Sequence, residues 1–334
     1  GDMAWFYLQA RDALLTGQFP LLGITTSITW LNQGPLWTYL LIPQLAIFNF
    51  NPASSQIFNF LTFTSTGALL YLFTKKLFGQ MACIFATTIF FTHPFIIYQS
   101  FLSYHTSPIP LFTLIFLLTL LKKKYFLSGL FLGFLYQLHL LTFIFWPIGI
   151  LYTLLTSPPR LGGDHRGGIG FTLGFLIGIL PFLLSGPIKT LGVFLWLAKN
   201  IITGFTHTSG ISDAHWVVLT IPILLGLGWL TSRLPRRLSI ITLTLIVITN
   251  LRFSITHHPP ELPLAKKILI SQTILSQSQT IKPDIKFLGP GSQWVTSSLP
   301  YEYLTWWLSR TSPPGGPHTQ FQVEEPSGQV SVLN

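Results

Sequence analysis

The chain has 334 residues, of which 49% are hydrophobic and 15% aromatic, while only 8% are charged. A soluble domain carries about 25% charged residues, so 19 basic and 9 acidic side chains cannot clothe a soluble surface of this length. With a mean hydropathy of +0.56, composition points to a multi-pass membrane protein and excludes soluble enzymes, nucleic-acid-binding proteins and disordered chains.

The net charge of +10 does not restore a nucleic-acid reading. The basic residues stand in short clusters between apolar runs, at Lys75–Lys76, Lys122 to Lys124, and Arg233 with Arg236 and Arg237, as loop charges of membrane proteins do. Cys83 is the only cysteine, so there is no disulfide framework.

In chain order, the first predicted element is a helix from Asp2, whose acid near the N-terminus suits capping and the helix dipole. Arg11 and Asp12 lie side by side on it as a neighbouring ion pair. A short apolar run, 36–49, holds Pro43. Eight further apolar runs follow at 54–74, 79–103, 105–121, 125–138, 139–155, 168–186, 216–232 and 238–251, against a requirement of about 20 residues per span; 125–138 and 238–251 are as short as 36–49 and need borrowed flanks or local thinning. Gly129 and Gly133 form a small-xxx-small face for close helix packing.

Residues 1–250 hold only Asp2, Asp12, Asp164 and Asp213 as acids, and the other five begin at Glu261. The chain therefore divides near residue 251. Residues 262–280 carry apolar positions at helical spacing. A Pro/Gly-rich stretch at 289–292, the aromatic segment Tyr301 to Leu308, a Pro313–Gly316 linker and a frayed end complete a small tail.

Positive charge orients the runs. If residues 1–53 lie outside and 54–74 crosses inward, 10 of the 13 basic residues before 251 fall inside, leaving Arg11, Lys189 and Lys199 outside. Run 36–49 is then an outer juxtamembrane or re-entrant helix, and an outer first segment calls for a helix upstream of Gly1. The expected organisation is a first extracytoplasmic loop with juxtamembrane helices over 1–53, a transmembrane bundle of about eight helices over 54–251, and an extracytoplasmic tail over 252–334. The fold class is all-α, a polytopic helix bundle with a small α/β or irregular tail.

This topology gathers Asp2, Asp12, Asp213, Gln33, Tyr104, His105, Gln137, His139, His207 and His215 on the outer face. Ionisable groups at a membrane edge are functional candidates because burying them is costly. No HExxH or CxxC spacing points to a metal, and no P-loop, GxGxxG or GxSxG motif occurs.

Several stretches carry a family likeness. They are Gly1-Asp2 with Tyr7, Ala10-Arg11-Asp12, Gly17 and Pro20 to Gly23; Gly34 to Tyr39; Leu70 to Gly79; Gly129, Gly133 and Gln137 to His139; Gly174 to Pro181; and Tyr301 to Leu304. In this order the sequence resembles the GT-C integral-membrane glycosyltransferases, above all the bacterial branch related to protein O-mannosyltransferases and aminoarabinose–lipid A transferases.

The resemblance implies a plasma-membrane enzyme that moves a sugar from a polyprenyl-phosphate carrier to an envelope acceptor on the extracytoplasmic side, with membrane lipid around it, no nucleic acid partner and no cofactor. It implies Asp2 at the reaction centre, and it places His139 where relatives carry a basic or polar group near the carrier phosphate. Met3 stands where relatives often have Glu. Arg11, Asp12, Gln33, Tyr104, His105, Gln137, His139 and Tyr301 form the expected donor- and acceptor-binding set.

One carboxylate suffices for direct displacement, whereas a double displacement wants a second about 5 Å away. The expected mechanism is therefore inverting, with Asp2 as base. The alternatives are a transporter or lipid flippase, and a noncatalytic membrane assembly subunit.

Overall fold

The computed structural model describes residues 2–25, 32–157, 166–186, 192, 213–256, 262–289, 292, 295–312 and 314–333. It is mostly helical, with one small three-stranded sheet. The chain forms two compact units. One comprises Gly1–Pro20, Thr38–Ser55 and His257–Asn334, the other Leu21–Trp37 and Gln56–Thr256. Residues 1–20 and 38–53 of the expected first loop thus share one unit with the tail, whereas 21–37 belongs to the other.

The first unit begins with α1 (Asp2–Thr16), which buries Phe6, Tyr7, Leu8, Ala10 and Ala13. Gly17 ends it at φ 71° and returns its N–H to the Ala13 carbonyl, the left-handed stop that favours glycine. The helix α2 (Leu36–Ile47) contains Pro43, as the sequence indicates. In the tail, α13 (Leu264–Gln277) covers the predicted helical stretch. It packs with α14 (Leu299–Ser309) and with the sheet β1 (Asp284–Leu288), β2 (Gln320–Glu324) and β3 (Gln329–Val332).

Strands β1 and β2 are parallel, and β2 and β3 antiparallel. Phe321 and Val323 alternate inward and join Leu262, Ile270, Ile274, Ile285 and Tyr301 in one core. Each such apolar side chain contributes roughly 1.5–3 kcal/mol on burial. The tail is therefore the α/β alternative, and its end is a folded hairpin rather than a frayed terminus.

Among the described residues two helices are long and apolar enough to cross a membrane, α3 (Ser55–Phe78) and α12 (Arg236–Thr256). At 1.5 Å per residue α3 is roughly 36 Å long, beyond the ~30 Å hydrocarbon core. Lys75 and Lys76 lie in its last turn, where cations suit the dipole.

Run 79–103 is broken into α4 (Gln80–Thr92) and α5 (Pro94–Phe101), bent by 62°. Pro94 is the cause: it has no N–H to give, and it holds His93 extended at φ −74°, ψ 119°. The remaining apolar helices are shorter: α6 (Ile109–Leu121), α7 (Tyr125–Leu138), α8 (Trp146–Thr156) behind the 3₁₀ turn Leu140–Phe145, α9 (Arg166–Gly178), α10 (Leu180–Ser185) and α11 (Asp213–Thr231). Membrane-spanning capacity by length is thus shown for two helices, or three if the bent pair counts as one.

The closest helix packing is between α7 and α9, through glycine. A Cβ on Gly129 would fall onto the Phe171 carbonyl, one on Gly174 onto the Phe126 carbonyl, and one on Gly133 would lie 2.7 Å from Gly178 Cα. Gly129 and Gly133 thus do form the close-packing face that their spacing indicates.

Candidate functional site

The site residues fall into two groups, one in each unit. In the second unit the polar group collects at helix ends. The segment before α2 reaches α7 through one backbone bond, Gly34 N–H to the Gln137 carbonyl, at 2.9 Å. A side chain at 34 would meet Gln137 Cβ at 2.5 Å, so only glycine allows the approach. Gln33 and Gln137 are both buried. Gln137 Nε2 donates to the Gly178 carbonyl at the end of α9. The side-chain oxygens of both glutamines have no hydrogen-bond partner among the described residues. An unmatched buried acceptor costs about 1–3 kcal/mol, so each of these oxygens is able to take a donor from elsewhere.

His139 follows α7 in extended conformation and starts the next turn. Its Nδ1 accepts the Leu141 N–H at 3.2 Å. A nitrogen that accepts carries no proton, so the neutral ring holds its hydrogen on Nε2 and is a donor there.

Two further imidazoles stand against it. The His105 ring is 5.9 Å away and nearly parallel, and the His215 ring 5.6 Å away and nearly perpendicular. His105 is 2% exposed and touches the Tyr104 ring at 4.0 Å. Their turn is held from α3, where the Asn59 amide donates to the Phe101 and Leu102 carbonyls at 3.3 and 3.1 Å. Sequence reasoning missed Asn59, whose only signal was a polar residue in an apolar run. His215, expected on the outer face, lies in the first turn of α11.

In the first unit, Asp2 opens α1, is exposed, and accepts from Thr296 Oγ1 at 2.9 Å. No sequence signal linked these two residues. Arg11 and Asp12 make the expected pair, at 2.6 Å, and the Arg11 guanidinium also lies 4.8 Å over the Trp306 ring.

Tyr301, expected in ligand binding, lies in the core of this unit at 0% exposure, and its hydroxyl donates to Glu325 Oε1. Glu325 also pairs with Lys267 at 3.4 Å. Burial first, then the hydrogen bond and charge of Glu325, push the Tyr301 hydroxyl up from its ordinary pKa. Burial chiefly, together with Tyr7, does the same for Tyr303 against the opposing pull of Arg11 and Arg310.

Among the described residues no group of three His, Cys, Asp or Glu side chains is set to hold a metal ion. Asp164, Lys189, Lys199, His207, His257 and His258 lie outside the described residues, as do the side chains of Arg166 and Asp213. No family model, no curated protein and no solved structure matches the chain.

Proposed function

We propose that this chain is a plasma-membrane glycosyltransferase that moves a monosaccharide from a polyprenyl-phosphate carrier to a cell-envelope acceptor on the extracytoplasmic face. The observation that carries the reading is the buried polar cluster at the helix ends of the second unit. There a neutral imidazole donor at His139 is stacked with His105, and two glutamine oxygens are left open for donors. Phosphate oxygens take the His139 N–H, and sugar hydroxyls give to Gln33 and Gln137. A headgroup with both kinds of atom matches the cluster better than a simple cation or anion.

Asp2 is the base. The acceptor hydroxyl attacks the anomeric carbon and its proton passes to the Asp2 carboxylate. The bond from that carbon to the phosphate oxygen breaks, and the lipid phosphate leaves with the electron pair. The exposure of Asp2 and its fixing by Thr296 suit a group that must meet an incoming acceptor. Direct displacement with inversion follows from a single carboxylate in this role.

The test is incubation of the purified protein in lipid with a panel of radiolabelled polyprenyl-phosphate sugars and envelope extracts. Label in a new, carrier-free product supports the reading, and none from any donor overturns it. One observation favours a transporter or flippase instead, the 62° break between α4 and α5, because discontinuous helices often form transport sites. Movement of intact carrier across vesicles without transfer would establish that alternative.

A further inference from the structure

The first unit has a cleft of about 190 Å³ that the base and the imidazole cluster leave unused. It is bounded by α1, by the residues just before β1 and by α14. Its polar lining is two closed ion pairs. Arg11 meets Asp12 at 2.6 Å, and Lys282 meets Glu302 at 3.4 Å. Both Arg11 contacts converge on Asp12 Oδ1, which keeps Oδ2 available on a side chain 58% exposed. Lys282 is 71% exposed and has three donors for one partner.

The apolar lining is Leu15 and Ile281, both more than half or half exposed, with the Trp306 indole. That indole is fixed in advance. The guanidinia of Arg11 and Arg310 lie 4.8 and 5.6 Å from its ring, and Phe50 and Tyr303 pack on it at 5.3 and 5.8 Å. Arg310 is itself tied to the Asn49 carbonyl and side chain.

These facts select a class of ligand. The four charges cancel, so an anion or a cation gains no net field and must compete with a partner already in place. A neutral polyol needs no pair to open, because its hydroxyls give to the carboxylates and accept from the ammonium in the same contact. The aliphatic side chains and indole meet a face of C–H groups. The volume is below the ~300–1,000 Å³ of pockets that enclose drug-sized ligands, and suits a single sugar ring. The preordered indole limits the entropy lost at that wall of the cleft.

We infer that this cleft is a binding subsite for the terminal ring of a neutral saccharide. It deepens the transferase reading at one point, by making the acceptor a glycan, yet it is measured without donor or transfer.

The experiment is ligand-observed saturation-transfer NMR on the full chain in nanodiscs. The probes are neutral disaccharides of glucose, galactose and mannose, a sulfated disaccharide and phosphocholine, with wild type, Glu302→Gln and Lys282→Ala. Glu302→Gln is nearly isosteric, and Lys282 is exposed enough to truncate without disturbing the fold.

The expected result is saturation of at least one neutral disaccharide, little changed between about 50 and 500 mM salt, with affinity lowered about tenfold in each variant. Binding confined to the sulfated sugar or to phosphocholine overturns the inference. So does the absence of any saccharide binding, or binding that both variants leave intact. Saccharide binding by a chain that transfers no sugar would uphold the subsite and remove the transferase reading.

Discussion

At the scale of single residues, His139 shows what a hydrogen bond decides that a sequence cannot. The residue was legible as a polar end to an apolar run, but its tautomer follows only from the Leu141 N–H on Nδ1. We predict that His139→Ala weakens use of the lipid donor by about 1–3 kcal/mol, the loss of one hydrogen bond to a charged group, with thermal stability near wild type. Steady-state kinetics against donor concentration measures this. Unchanged donor KM and kcat would assign His139 to a structural turn.

The two buried tyrosines give a pH prediction. Their hydroxyls are held above the ordinary value near 10 in the fold, so their stabilising effect is complete below that pH. It is lost above it, because the unfolded chain gives up those protons first. Alkaline titration of thermal stability should decline from about pH 10, by up to roughly 1.4 kcal/mol per pH unit for each tyrosine. Tyr301→Phe and Tyr303→Phe should each make that decline shallower. An identical slope in both variants would show that other groups govern it.

At the scale of elements, legibility follows the range of the interaction. The glycine face at 129 and 133 could be read because four-residue spacing is a local property of one helix. Its partner glycines on α9, at 174 and 178, are known only from the packing. Gly129→Ala should lower the melting temperature by the equivalent of about 1–3 kcal/mol, since its Cβ would fall onto the Phe171 carbonyl. Gly226→Ala in α11 meets nothing within 4 Å and should leave stability unchanged or raise it by up to ~1 kcal/mol. Equal effects at both positions would remove close packing as the explanation.

The final hairpin was missed for the complementary reason. Gln320–Glu324 and Gln329–Val332 are short and polar at alternate positions, and β2 owes its place to β1, a partner more than thirty residues earlier. The break at Pro94 was in plain sight, but a run of apolar residues outweighed one proline.

At the scale of the molecule, composition pointed to a membrane protein, and the two helices among the described residues that are long and apolar enough to cross, or three with the bent pair, are compatible with that. The joining of residues 1–20 and 38–55 with the tail could not be read from either segment alone. It depends on contacts such as Thr296 with Asp2, Tyr303 with the Phe50 carbonyl and Arg310 with Asn49. Orientation rests on the positive charges. In a Cys83→Ser background, a cysteine at Lys123 should be labelled by an impermeant reagent only after permeabilisation, and one at Ser276 without it. The reverse pattern would invert the topology.

The central claim is that Asp2 takes the acceptor's proton during sugar transfer. Its most direct test compares wild type and Asp2→Asn for turnover from a polyprenyl-phosphate sugar, with thermal stability followed in parallel. Loss of a general base costs ~10²–10⁴-fold in rate. The account predicts a fall of that order at unchanged stability, while near-normal transfer by Asp2→Asn would contradict it.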